Sequence, residues 1–352
     1  MLRRLALAGG LLLLLVALAT GVRVREVLQP AGAGSEEVVF VVPEGATLAA
    51  VSRALEEAGL VRRAWAFRGL ARYEGVGAKL RAGEYALRAS MRPDEILQRL
   101  VRGQVRTHPL VIPEGLTAAE IAERVARAGL GSADDFLRVV HDPDLVAQLG
   151  LEGDNLEGYL FPETYRFARG VPMRAIVMDM VGEFQRAWEP LAPRAAERGL
   201  GRREVVILAS IVEKETAAPE ERPMIAAVFL NRLARGMRLE TDPAVIYGIP
   251  DFDGNLRRVH LEDESNPYNT YRIAGLPPGP IANPGADALR AVVEPAETDA
   301  LFFVSRNDGT HQFSRTYAEH VRAVDRYQRH RRRPPSAVQH APASNAAQRG
   351  AP

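Results

Sequence analysis

The sequence predicts a mixed α+β protein, and three observations carry that expectation. A strand–turn–helix unit occurs twice, VVPEGATLAAVSRALEEAGL from Val41 and VIPEGLTAAEIAERVARAGL from Val111, 70 residues apart. Elsewhere, apolar residues recur at helical spacing, i, i+3, i+4, i+7. Near the end, the β-like runs 301–305 and 309–314 flank a polar turn, as a hairpin requires. Duplication explains the repeat; convergence on a common local pattern is the alternative.

Taken in order, the chain starts with Arg3 and Arg4, followed by 18 uncharged residues, 5–22. That length meets the lower limit for a membrane-spanning helix. The leading arginines favour a cytoplasmic N-terminus, although Arg23 and Arg25 on the far side weaken the asymmetry. Ala17-Leu18-Ala19 also allows a cleaved signal peptide. Either way the chain beyond residue 25 is expected to be exported. A linker at 28–37 leads to a strand at 38–42, a Pro-Glu-Gly turn, and a helix from Leu48 that Thr47 can cap and Gly59 can end. Residues 79–87 read as a turn into a strand, and 91–101 as a helix with Asp94 in its first turn.

Residues 133–149 read as helix with polar breaks, and 156–165, LEGYLFPETY, as a loop. That loop holds three aromatic residues and the carboxylates Glu157 and Glu163. Exposed rings beside carboxylates suit a sugar; rings plugged back into the core are the alternative. Residues 173–200 read as one long helix or two, and 222–233 as another, with Gly236 as its stop. A turn at 241–243, a short apolar run at 245–249 and a polar loop at 251–264 follow. The Pro- and Gly-dense stretch 275–285 is a rigid loop. Helices at 286–293 and 317–331 enclose the hairpin, and 331–352 is a basic, then Pro/Ala/Ser/Gln-rich, disordered tail.

Composition narrows the chemistry. The 352 residues suffice for two or three domains, with 47% hydrophobic and 25% charged side chains. Forty-five basic and 44 acidic residues balance to a net charge of +1, which gives no support for a nucleic-acid partner. The absence of cysteine excludes disulfides, thiolate nucleophiles and cysteine metal sites. No phosphate-cradling glycine loop, serine-hydrolase elbow or His-Glu-x-x-His is present, and the seven histidines are scattered, so no cofactor and no metal is expected.

A carboxylate mechanism remains, and residues 205–216, VVILASIVEKET, are where it is expected. On a helix, Leu208, Ile211, Val212 and Glu215 share one face, while Val206, Ala209 and Glu213 share the opposite one. The two glutamates are therefore expected to serve different clefts. A carboxyl on an apolar face is desolvated, which raises its pKa towards that of a general acid. A solvated helix end, or a salt bridge to Lys214 or Arg222, is the bland alternative.

Together these stretches resemble the endolytic murein transglycosylases of the YceG-like family over nearly the whole length. The resemblance rests on LEGYLFPETY from Leu156, LASIVEKET from Leu208, ER at Glu221 and VFLNRL from Val228. It continues through GMRLETDPAVIYG from Gly236, YNTY from Tyr268, GLPPGPIANPG from Gly275 and HQFS from His311. It implies a single-pass inner-membrane anchor (1–25), a LysM-like module (36–102), a periplasmic catalytic domain (103–330) and the tail (331–352). Peptidoglycan glycan strands are the implied substrate and peptidoglycan synthases the implied partners. The implied reaction cuts the bond between N-acetylmuramic acid and N-acetylglucosamine without water and leaves 1,6-anhydro ends, terminating glycan elongation. Its acid/base falls on Glu215, with Glu213 second. Glu157, Tyr159, Glu163, Asn231, Thr241, Asp242, Asn269, Tyr271 and His311 are the implied substrate-binding residues. Two other readings stand beside it: a non-catalytic, membrane-anchored wall-binding protein, and a hydrolytic muramidase using Asp242 as second carboxylate.

Overall fold

The structure is a computed structural model that describes residues 25–216 and 218–329. The expected anchor or signal segment and the tail fall outside the described residues. Among the described residues no helix is long and apolar enough to cross a membrane. Helices alternate with short antiparallel strand pairs, which makes the fold mixed α+β. The described residues divide into two compact units: 25–112 with 119–141 and 163–179, and 113–118 with 142–162 and 180–329.

The first unit begins with β1 (Val38–Val42), α1 (Leu48–Glu57), α2 (Ala64–Tyr73), β2 (Gly83–Leu87) and α3 (Pro93–Arg102). β1 and β2 pair antiparallel, with Phe40 opposite Tyr85. Strand alternation turns Phe40 and Val42 inward and Val39 and Val41 outward. Thr47 caps α1 by accepting the Ala50 N–H. The inward side chains, among them Val51, Leu55, Phe67, Tyr85 and Leu97, form one core. A second antiparallel pair joins β3 (His108–Val111) to β4 (Thr164–Phe167), so LEGYLFPETY ends in a strand that its Gly and Pro residues obscured. α4 (Ala118–Arg127) and α5 (Ala133–Val140) complete the region. Both copies of the repeat form a strand, a turn with a left-handed glycine, and a helix.

The second unit contains α6 (Pro143–Gln148), the later part of α7 (Met173–Trp188), α8 (Ala192–Glu197), α9 (Arg202–Glu215), α10 (Arg222–Ala234), α11 (Asp242–Tyr247), α12 (Arg258–Glu262) and α13 (Ala286–Val293). The hairpin β5 (Phe302–Ser305) and β6 (His311–Ser314) and then α14 (Tyr317–Val324) follow. Pro190 separates α7 from α8, since proline lacks the N–H that would continue the ladder. The polar stretch expected as loop contains α12, which carries an Arg258–Glu262 ion pair one turn apart.

α9 is the centre of this unit. All eight residues from Val205 to Val212 are buried, and the helix packs against α10, α11 and α13. It is apolar all round because it is enclosed all round. The two faces that the sequence distinguished are thus both buried along 205–212. Buried Ser210 donates its hydroxyl to the Ile207 carbonyl and accepts the Ile281 N–H, fastening α9 to the Pro- and Gly-dense loop.

Candidate active site

Glu215 is the last residue of α9, and Thr216 continues in extended conformation. Burial drives the Glu215 carboxyl up to about 7. The Thr241 hydroxyl beside it pulls down, the Asp242 carboxylate pushes up, and His311 and Arg232 pull down. The buried Thr241 hydroxyl completes no hydrogen bond of good geometry. A carboxyl balanced near neutrality can give up a proton and take one back, as acid–base catalysis needs.

Glu215 opens onto two cavities, each of about 360 Å³. Arg232, Leu239, Glu240, Asp242, Tyr271 and Phe303 line the first with it. Tyr271 donates its hydroxyl to Asp242 at 2.8 Å, and burial followed by this bond holds the phenol protonated. Glu240, which precedes the Thr241-Asp242 pair, adopts φ 52°, a strained backbone that non-glycine residues rarely take. Arg232 restrains it: its Nη1 donates to the Leu239 carbonyl and to Glu240, while its Nε donates to the Leu301 carbonyl. His320 of α14 also lines this cavity; burial, then Arg232, lowers its pKa, and its Nδ1 has no hydrogen-bond partner.

The second cavity is lined by Glu114, Gly115, Glu213, Lys214, Thr216 and Arg222 together with Glu215. Glu213 is nearly inaccessible; it accepts from Arg222 at 2.7 Å and from the Gly285 N–H at 3.1 Å. Arg222 also reaches Glu114 at 3.2 Å. Burial, then the Glu213 charge, pushes Glu114 up. Glu213 and Glu215 therefore line one cavity, against the expectation of separate clefts. Glu215 sits where the helix ends, and the cavity extends around that end.

The other expected site residues divide into two groups. Thr241, Asp242, Tyr271 and His311 gather around Glu215. Asn231 and Asn269 brace the backbone: Asn231 donates to the Thr298 and Ala300 carbonyls, and fully buried Asn269 to those of His260, Leu261 and Asp263. Tyr159 is fully buried edge-on against Phe184, the plugged arrangement that the sequence left open. Glu163 is exposed in the first unit, where its Oε1 accepts the adjoining Thr164 N–H. Glu157 is buried and accepts the Ala118 N–H at 3.0 and 3.1 Å, Asn283 Nδ2 at 2.7 Å and the Tyr247 hydroxyl at 3.3 Å. Burial drives Glu157 up to about 7, against the opposing pull of these bonds.

Sequence reasoning missed Glu114, Arg232, Asn283 and His320, and it offered Arg222 as a partner for Glu215 where the structure pairs it with Glu213 and Glu114. Asn283 accepts the Leu160 N–H and donates to the Leu116 carbonyl, joining three separate loops. Its place in Ala-Asn-Pro-Gly was the one available signal. Among the described residues no group of three or more His, Asp or Glu side chains could hold a metal ion.

Glu215 is thus a carboxyl raised towards neutrality at a helix end, lining two cavities and ringed by polar groups. Comparison with known proteins carries this further. The YceG-like family matches residues 40–326, and the chain belongs to that family. It is 29% identical to an endolytic murein transglycosylase of Bacillus subtilis, over 86% of this chain and 88% of that protein. It is 31% identical to an endolytic murein transglycosylase of Streptococcus pneumoniae strain D39, over 86% of this chain and 60% of that longer protein. A crystal structure of a yceG-like protein from Listeria monocytogenes superimposes with TM-score 0.57 at 32% identity, covering 82% of this chain and 98% of that one.

Proposed function

We propose that this protein is an endolytic lytic transglycosylase acting on peptidoglycan glycan strands. The observation that carries the mechanism is Glu215, near neutral pKa, between two cavities: a polymer threaded through both presents one bond to one carboxyl. Glu215 protonates the glycosidic oxygen as the bond from C1 of N-acetylmuramic acid breaks. The 6-hydroxyl oxygen of that sugar then attacks C1, and its proton passes to the Glu215 carboxylate. The acid is regenerated, no water is consumed and the product ends in a 1,6-anhydro ring. Tyr271 keeps Asp242 engaged, and Asp242 keeps Glu215 protonated. Thr241 and His311 complete the ring around the acid, while Asn231, Asn269 and Glu157 hold its scaffold.

The same reading extends to the rest of the chain. Residues 1–25 anchor it in the inner membrane, which places the catalytic domain in the periplasm beside peptidoglycan synthases. Residues 36–102 act as a LysM-like wall-binding module, a role favoured by the β–α–α–β order around one core.

The test is mass spectrometry of glycan fragments released by the full-length chain in detergent, beside Glu215→Gln. Anhydro ends are expected from the wild type, with a loss of about 10²–10⁴-fold in the variant. Reducing ends would instead assign hydrolysis with Asp242 as second carboxylate. Anhydro ends undiminished in Glu215→Gln would move the acid elsewhere. No fragments from either protein would leave the wall-binding role.

A further inference from the structure

We propose that the exposed face of α2 docks on a bilayer surface of anionic phospholipid headgroups and lays the first unit against the membrane. The proposal rests on the reading of residues 5–22 as an anchor. α2 buries Phe67 and Ala71 in the core of its unit. At 100° per residue its opposite face carries Trp65, Arg68, Gly69, Arg72 and Tyr73. Trp65 is 52% exposed and Tyr73 91%. Single exposed apolar side chains are ordinary; here two rings bracket two arginines on one face. Among the described residues neither Arg68 nor Arg72 is paired with a carboxylate. The stretch 58–73 holds four arginines and no acidic residue, and Glu74, which follows it, accepts from Gln98.

The chain arriving from the anchor is fastened to the start of this helix. Arg62 Nε donates to the Pro30 carbonyl at 2.9 Å, and the Gly32 N–H donates to the Ala89 carbonyl at 3.0 Å. Pro30 lies eight residues beyond Val22, where the uncharged run ends. Eight residues reach at most about 28 Å. Trp65 follows Arg62 by three residues, so the tether ends beside the basic, aromatic face. Indole and phenol rings settle at headgroup level, with their polar edges in water. Guanidinium groups pair with phosphate at two points. A sugar is the poorer fit: its hydroxyls need acceptors as well as donors, and among the side chains of this face only the Tyr73 hydroxyl can accept.

The test is tryptophan quenching in the full-length chain, reconstituted in nanodiscs whose lipids carry bromine near the headgroup. Trp65 and Trp188 are the only two tryptophans, so the difference between wild type and Trp65→Phe reports Trp65. Quenching of Trp65 is expected in discs that contain anionic lipid. Arg68→Gln/Arg72→Gln, which alters only surface groups, is expected to lower the docked-to-undocked ratio about thirtyfold. Salt at about 1 M is expected to release the face, since screening then acts within a few ångströms. Trp65 unquenched in anionic discs would overturn the proposal. So would equal quenching in zwitterionic discs and in the double variant, which reports the tether alone. Shielding of Trp65 by soluble glycan fragments in place of lipid would assign the face to a sugar and overturn it as well. A chain that fails to enter discs would sink the anchor reading instead. Sedimentation of that chain with anionic vesicles then reads the face separately: binding lost in the double variant supports the proposal, and absence of binding overturns it.

Discussion

Two turns in this chain share the letters Pro-Glu-Gly and meet different surroundings. Gly45 and Gly115 adopt nearly the same left-handed backbone, φ 71° and φ 76°. A Cβ at Gly45 would meet nothing within 4 Å, and Glu44 is exposed. At the second turn, the Gly115 N–H donates to the Asn283 carbonyl and the Gly115 carbonyl accepts from Lys214. Glu114 takes a bond from Arg222, and the Ala118 N–H ends on Glu157. Local sequence sets the shape of a turn. Its chemistry comes from what the fold packs against it, so one copy is a connector and the other a wall of the Glu215 cavity.

The largest effect expected from breaking this difference is that of Arg222→Met. It leaves Glu213 buried without its cation and should cost about 3–5 kcal/mol in denaturant unfolding. A loss below about 1 kcal/mol would mean that the cluster at the second turn is solvated and the contrast false.

Glu157→Gln sharpens the contrast through pH. The folded carboxyl titrates at about 7 against an unperturbed 4.5, so between these values the folded state binds more protons than the unfolded one. Its contribution is fully present below about pH 4.5 and is lost as pH rises to about 7. Glu215 acts with the same sign. Melting temperature should therefore fall across this window in the wild type and fall less in Glu157→Gln; equal slopes would refute the assignment. The smallest effects come from the two turn glutamates. Glu114→Gln should cost less than about 1 kcal/mol, since that side chain is 45% exposed. Glu44→Gln should stay within about 0.5 kcal/mol. A Glu44 variant costing as much as Glu114→Gln would erase the difference.

One part of the candidate site was legible from a local signal: Glu215 stood out as a carboxylate closing an apolar helix. Thr241, Asp242, Tyr271 and His311 came from their place in the family motifs, and the fold gathers them around Glu215. The roles of Asn231, Asn269 and Tyr159 were not legible: an amide that braces carbonyls and one that binds a ligand have the same letter, and a loop tyrosine can turn inward or outward. Arg222 and Glu114 are 108 residues apart, so no pattern along the chain joins them.

By itself the sequence determined the secondary elements that depend on neighbouring residues. These include the Thr47 cap, the left-handed glycine turns, the closing hairpin and a helix ending in Glu215. Only the tertiary structure decided that this helix is enclosed on every side, that Glu213 is tied to Arg222, and that two cavities meet at the other glutamate. The reason is physical: caps and turns are settled within a few residues, whereas desolvation and charge pairing depend on side chains that only packing brings together.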